Sequence, residues 1–423
     1  MKNKEICIAY ATDSNYINPT CVSIYSLLKN SDADNMYSIN VIIPSEVSQR
    51  ERDIIKKVCG NFENCSLNFV VFTDELVGVE SVVAHISNIT YYRLLLHKYL
   101  ENFDKCIWLD SDTIICSDIS ELYEFEIGDN YIAGVKAPAY QLAADYHCKR
   151  LKIPSIEGYI NAGILVVNMK KLRENQMEYL FLELSKRNYA DVDQSVINVA
   201  CYGKILHLNF KFNFQPSRLY ESNKDIFKIF DPHEIAQAYT NPTVVHFLDA
   251  VKPWQDLSYD FNNCWINSYT ELAKILPEIS GFYSAKDDRA ESILDYIDIK
   301  NAEKLVFYGA GAQGRNMVEY LKFLEIKMPD EIWDINAENF SDAYGISVVT
   351  PKFNGTIDYL KSIALVICIE NHRIVQAVRE QSEKVGIAKI YTASDLKKSL
   401  RERAKIIWER LIADVEENGQ AVL

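Results

Sequence analysis

The chain has 423 residues, 48% hydrophobic and 25% charged, an ordinary globular composition with room for two to three domains. Its net charge of -14 argues against a nucleic-acid partner, which calls for a basic face, but is compatible with small anions held through a metal. No apolar run approaches the roughly 20 residues of a membrane span, and the start MKNKEICIAYATDSN lacks the apolar core and cleavage site of a signal peptide, so a cytoplasmic location is expected. Ten cysteines, from Cys7 to Cys368, are scattered singly without C-x-x-C or zinc-like spacing, and most of them read as buried reduced thiols.

In chain order the first segment reads as strand EICIAYA (5–11), helix PTCVSIYSLLKN (19–30), strand MYSINVIIP (36–44), helix SEVSQRERDIIKKVCG (45–60), strand LNFVVFT (67–73), helix TYYRLLLHKYL (90–100) and strand KCIWLD (105–110). Alternation of this kind predicts an α/β fold with a mostly parallel sheet covered on both faces. Ligands of such sheets collect at the carboxyl ends of the strands. Strands YIAGVK (131–136) and NAGILVVNM (161–169), a helix over VDQSVINVACYG (192–203) and a strand PTVVHFLD (242–249) complete a unit that closes between Trp265 and Phe282. The charged stretch at 281–300 reads as a linker.

The pattern then restarts over 301–395. KLVFYGAGAQGRNMVEYLKFL (304–324) is strand, glycine loop and helix; DEIWDIN (330–336) and IALVICI (363–369) are strands, followed by a helix over HRIVQAVREQSEKVG (372–386). Gly309, Gly311 and Gly314 precede Asp334 by the interval at which a dinucleotide-binding loop keeps its ribose acid. The unit is therefore expected to be a small Rossmann-like domain, with a bound nucleotide or a structural role as its two readings. The remainder, 396–423, reads as one amphipathic helix with a tail, capped by Ser394 and packed on the second domain or on a partner subunit in a homo-oligomer. Its Lys and Arg residues also leave open peripheral contact with a membrane.

The chemistry concentrates in CIWLDSDTII. In extended backbone, residues i and i+2 point to one side, so Asp110 and Asp112 converge if the strand continues through Ser111. Converging carboxylates repel unless a cation lies between them. The alternative is a turn in which one Asp caps the next segment. Asp13 and Asn15 of YATDSNY stand where a nucleotide sits in a sheet of this type.

Taken in order, YATDSNY, TYYRLLLHKYL, WLDSDT, YINAGILVVNMKKL, DVDQSVIN and VVHFLDAVKPW resemble glycosyltransferase family 8, the retaining sugar transferases of GT-A fold. The resemblance covers roughly the first 280 residues. It implies that Asp110, Asp112 and His246 hold Mn2+ or Mg2+ and that Ser111 lies in the same donor site. Lys252 and Arg93 would meet the diphosphate, Asp13 the uracil with Asn15 close by, and Tyr16 the face of the base. Asn161, Ala162 and Gly163 would lie along the donor sugar, Gly163 because backbone there approaches ligand closely. Asp193 and Gln194 would stand beside the anomeric carbon, as a covalent nucleophile or as neighbours of a front-face attack. The implied function is metal-dependent transfer of glucose or galactose from a UDP-sugar to a glycan, lipid-linked sugar or glycoprotein acceptor. Asp249 stands where the family often has glycine beside the diphosphate, a departure from the pattern. Two other functions fit parts of the chain: an NAD-dependent oxidoreductase or epimerase using the Gly309 loop, and a nucleotide-sugar sensor without catalysis.

Overall fold

The computed structural model describes residues 4–73, 88–187, 189–249, 252–255, 261–282, 301–340, 345–369 and 371–418. Two compact units divide the chain, Met1–Lys286 and Asp287–Glu417. From residue 283 on, the stretch expected as a linker lies outside the described residues.

Unit one contains β1 (Glu5–Ala11), β2 (Met36–Ile43), β3 (Cys65–Val71), β4 (Lys105–Leu109), β5 (Thr113–Ile115), β6 (Ile132–Lys136), β7 (Ile160–Asn168), β8 (Ile205–His207) and β9 (Val244–His246). Seven of them form one sheet in the order β3-β2-β1-β4-β7-β6-β8, and β5 pairs with β9 in a separate ribbon. Strands β3, β2, β1 and β4 are mutually parallel. β7 runs antiparallel between β4 and β6, and β6 is parallel to β8. The near-continuous apolar runs of β1, β2 and β4 are buried along almost their whole length, as strands covered on both faces require.

Two features of this order place a site. The strand sequence reverses at β1, whose neighbours are β2 and β4, and a crevice opens at the carboxyl ends of strands beside such a reversal. Because β7 is antiparallel to β4, its first residues lie at that same end: Leu109 pairs with Ile164, and Asp110 N–H donates to Gly163 O at 2.8 Å. The helix Val192–Ala200 is pinned beneath by Val192, Val196 and Ile197, which share a core with Trp108, Tyr91 and Leu165. Each such aliphatic side chain contributes about 1.5–3 kcal/mol by leaving water.

Unit two contains β10 (Lys304–Tyr308), β11 (Glu331–Trp333), β12 (Val348–Val349), β13 (Ile363–Ile367) and β14 (Lys389–Thr392). They form a wholly parallel sheet in the order β12-β11-β10-β13-β14. The short β12 and β14 are not foreseen from the sequence, since two or four residues carry too little periodicity.

Several elements differ from expectation for local reasons. The helix expected over 90–100 is a 3-10 helix, Asn88–Leu95, followed by one turn at Leu96–Tyr99. Its Ile, Thr and Tyr residues are poor helix formers, and the Thr90 carbonyl is taken by Arg93 Nε at 3.0 Å. The strand expected over 242–249 stops at His246, where Phe247 N–H turns to Asp112 O at 3.0 Å. The C-terminal segment is two helices, Ala393–Ser399 and Arg401–Asn418. Thr392 caps the first, in a capping box with Asp395, so Ser394 lies inside the helix.

Candidate functional site

The two aspartates converge, but by a different route from continued strand. Strand β4 ends at Leu109, Ser111 and Asp112 form a turn, and β5 begins at Thr113. Thr113 Oγ1 donates to Asp110 O at 2.7 Å and closes the turn. Ser111 is buried inside it, donating to Ala11 O at 3.0 Å and accepting from Thr20 Oγ1 at 2.8 Å, so its observed contacts tie the turn to β1. The β5–β9 ribbon pairs Thr113 with His246 and carries the imidazole to the carboxylates. Nε2 of His246 lies 3.4 Å from Asp112 Oδ1 and 3.9 Å from Asp110 Oδ2.

The other oxygen of each carboxylate is already engaged. Asp110 Oδ1 accepts from Trp108 Nε1 at 2.9 Å and faces Arg93 at 3.0 Å. Asp112 Oδ2 accepts from Lys252 Nζ at 2.7 Å. Asp110 Oδ2, Asp112 Oδ1 and His246 Nε2 are thus turned toward one point, with all three ligand atoms within 4.8 Å of one another. Two carboxylate oxygens and an imidazole nitrogen are a donor set that suits Mn2+ or a similar divalent ion. Burial raises the pKa of Asp110 against the pull of Arg93; burial acts the same way on Asp112, but Lys252 and His246 outweigh it and hold that carboxyl below the carboxylate range.

Arg93 is packed under this centre, its guanidinium 4.7 Å from the centre of the Trp108 ring. Its N–H groups meet Asp110, Thr90 O, Thr90 Oγ1 and Ala162 O. Nε also lies 2.9 Å from Asp193 Oδ2, an ion pair rather than a hydrogen bond. This nearly buried guanidinium is thereby tied to Asp110, Thr90, Ala162 and Asp193. Asp193 accepts from Thr90 on its other oxygen, and burial pushes its pKa up to about 6. Val192, just before it, holds φ at +38°, a conformation that costs a β-branched residue about 1–3 kcal/mol.

A chain of amides runs away from His246. Its Nδ1 is 3.0 Å from Asn213 Oδ1, which also accepts from Gln215 Nε2 at 3.2 Å. Asn213 Nδ2 donates to Asn161 Oδ1 at 2.8 Å, and Asn161 Nδ2 to Gln194 Oε1 at 3.0 Å. Backbone donors fix which end of each amide is oxygen: Gly163 N–H reaches Asn161 Oδ1 at 3.0 Å and Ala162 N–H reaches Gln194 Oε1 at 3.2 Å. The Gln194 carbonyl is therefore occupied by two donors, and its Nε2 faces the Tyr159 hydroxyl at 3.4 Å. Gly163 is required for a reason the sequence does not disclose: a Cβ there would lie 2.1 Å from His246 Cε1.

At the other end, the Asp13 carboxylate accepts from the N–H groups of Asn15 and Tyr16 at 2.9 and 3.2 Å, a cap-like turn opening the helix Ile17–Lys29. Tyr16 meets Trp254 edge-on with ring centroids 6.1 Å apart. Asp249 lies 3.8 Å from the Arg218 guanidinium. Asp13, Tyr16, Arg218 and Asp249 line, with Asp110, Asp112 and His246, a cleft of about 580 Å3 that takes in every site residue expected in this unit except Asn15, which is exposed.

A sequence model of the family described as Glycosyl transferase family 8 matches residues 7–258. The chain belongs to glycosyltransferase family 8. A Haemophilus influenzae protein described as a glycosyltransferase is 28% identical over 310 residues, 71% of this chain and 87% of its own length. Lipopolysaccharide glucosyltransferase WaaO of Escherichia coli is 23% identical over 274 residues, 62% of this chain and 76% of its own. The crystal structure of galactosyltransferase LgtC with donor and acceptor sugar analogs superposes with a TM-score of 0.54 at 25% identity, covering 66% of this chain and all of LgtC. The mixed, mostly parallel sheet is thus the GT-A fold of the family.

The family 8 match ends before unit two, which carries the glycine loop. Gly309 has φ +110°, with Cys368 O 2.8 Å from where a Cβ would be, and a Cβ on Gly314 would meet Gly309 O at 2.1 Å, so both glycines serve the fold. At Gly311 a Cβ would meet nothing within 4 Å. Asp334 is turned into the loop, accepting from Ala310 N–H and Asn336 N–H at 2.8 Å each. Among the described residues no helix is long and apolar enough to cross a membrane.

Of the groups around the centre, Trp108, Thr90, Asn213, Gln215 and Arg218 were not singled out in the sequence. Asn213 lies in KFNFQPS, a stretch with no acidic residue or motif to mark it.

Proposed function

We propose that the chain is a metal-dependent, retaining hexosyltransferase that moves glucose or galactose from a UDP-sugar to a hydroxyl of a glycan acceptor. The observation that carries this reading is the convergence of Asp110 Oδ2, Asp112 Oδ1 and His246 Nε2, with every other carboxylate oxygen of the pair already engaged. WaaO is named a glucosyltransferase and LgtC a galactosyltransferase, which supports a hexose without choosing between them.

A divalent ion in that position supplies positive charge to the departing diphosphate. Lys252, held between Asp112 and Phe247 O at 2.9 Å, adds a fixed cation on the same side of the cleft. Asp13 and Tyr16 offer the nucleotide an acceptor and an aromatic face at the helix entrance. Beside the donor sugar, Asn161, Ala162 and Gln194 form a rigid wall. A double displacement needs a free nucleophile. The Gln194 carbonyl is bonded twice and Asp193 is held by Thr90 and Arg93. The arrangement favours front-face attack by the acceptor hydroxyl, whose proton passes to the leaving phosphate oxygen.

UDP release from UDP-glucose and UDP-galactose, with and without Mn2+, tests the reading. Activity should require Mn2+ and disappear in Asp110→Ala, Asp112→Ala and His246→Ala; full activity in those variants would sink the metal assignment. Tight UDP binding without turnover would make the chain a sensor. NAD binding lost in Gly311→Val, with no UDP-sugar turnover, would favour an oxidoreductase.

A further inference from the structure

We infer that Asn213 is a positioning residue that sets the tautomer of His246 and, through Asn161, the orientation of Gln194. A neutral imidazole carries its proton on one ring nitrogen, and the bond made by the other nitrogen decides which one is free to ligate. Asn213 Oδ1 lies 3.0 Å from Nδ1. That atom must be the oxygen, because Gln215 Nε2 donates to it and because the amide's Nδ2 is spent on Asn161 Oδ1 at 2.8 Å. Nδ1 therefore carries the proton, and the lone pair falls on Nε2, the nitrogen that faces Asp110 and Asp112.

The same residue governs the far end of the chain. With Asn161 Oδ1 filled by Asn213 and Gly163 N–H, Asn161 Nδ2 must donate to Gln194 Oε1. Asn213 and Gln215 are almost fully buried, at 0% and 2% exposure, so water is poorly placed to replace either bond. One side chain thereby couples the nitrogen ligand to the sugar wall, and the coupling depends on an amide having both an acceptor and a donor end.

The inference rests on the metal reading above and is tested apart from it. In full-length protein labelled with 15N-histidine and free of metal, the His246 ring should show the Nδ1–H tautomer. Mn2+ titration should then give a dissociation constant weakened on the order of 10- to 100-fold in Asn213→Ala. Asn213→Asp keeps an acceptor for Nδ1–H but loses the donor to Asn161; it should retain native Mn2+ affinity while kcat for UDP release falls. That split is one a merely structural role would not produce, and the aspartate variant still decides if the alanine variant does not fold. Native Mn2+ affinity in Asn213→Ala, equal loss in both variants, or an Nε2–H tautomer in the native chain overturns the inference. If the native chain binds no Mn2+, the metal reading falls, and the tautomer measurement still decides the role of Asn213.

Discussion

Gly163→Ala is the most exacting test of the metal centre, because it adds one methyl group and removes no ligand. The position has no left-handed φ, and its carbonyl serves Asp110 N–H from within β7, so alanine suits the backbone. The added Cβ would lie 2.1 Å from Cε1, 2.7 Å from Nδ1 and 2.9 Å from Nε2 of His246. Restoring ordinary contact, from 3.4 Å upward, requires the imidazole to retreat by about 1.3 Å from its 2.1 Å approach. Metal–ligand distances tolerate about 0.2 Å, and His246 cannot retreat freely, since Asn213 holds its Nδ1 at 3.0 Å. The strain should destabilise the fold by about 1–3 kcal/mol, visible as a lower Tm. Mn2+ affinity should fall at least about 10-fold, and UDP release on the order of 100-fold, the loss a displacement of about 1 Å can cause. Isothermal titration with Mn2+ and a UDP-release assay on the same preparation measure both. A Gly163→Ala protein with native metal affinity and native kcat would refute the argument that His246 is a ligand fixed by this close approach.

The remaining predictions concern stability. His97 is buried with neither ring nitrogen hydrogen-bonded, and burial, with Arg173 and Lys98, lowers its pKa to about 4. Its unfolded form takes a proton near pH 6.5, so the stability tied to a neutral His97 is present above that pH and is lost as pH falls toward 4, by about 3 kcal/mol in all. Urea unfolding of the metal-free protein across that range should show the slope, and His97→Phe should flatten it; an unchanged slope would rule His97 out as its source. In unit two, Gly314→Ala forces a Cβ to 2.1 Å from Gly309 O, whereas Gly311→Ala meets nothing within 4 Å. The first should lower stability by about 1–3 kcal/mol and the second leave thermal unfolding unchanged. Equal effects would show that the loop relaxes around either methyl.

Much of the site was legible because it is short-range. Asp110 and Asp112 follow an apolar strand, Asp13 lies just past the end of β1, and Gln194 sits in the first turn of a helix; each is a local signal of an element's end, where α/β sheets gather ligands. The sequence leaves the route between the aspartates open between a strand and a turn. An i, i+2 spacing suits an extended strand, but the Thr113–Asp110 bond and the burial of Ser111 select a turn. Arg93 was visible as a cation near the site, though nothing in TYYRLLL reveals that Asp110 and Asp193 converge on it from separate elements.

Sequence alone settled the alternation of strand and helix and the apolar strands that hold the carboxylates, because backbone periodicity and side-chain burial act between near neighbours. What decided the site was pairing at long range. The β5–β9 ribbon brings His246 to Thr113, antiparallel β7 lays Gly163 beside Asp110, and Asn213 meets the far side of the same imidazole. Such contacts depend on strand order and direction, which loop closure and the joint burial of distant faces fix only when the whole sheet assembles. An asparagine in KFNFQPS therefore carries no mark of its role until the fold sets it against His246.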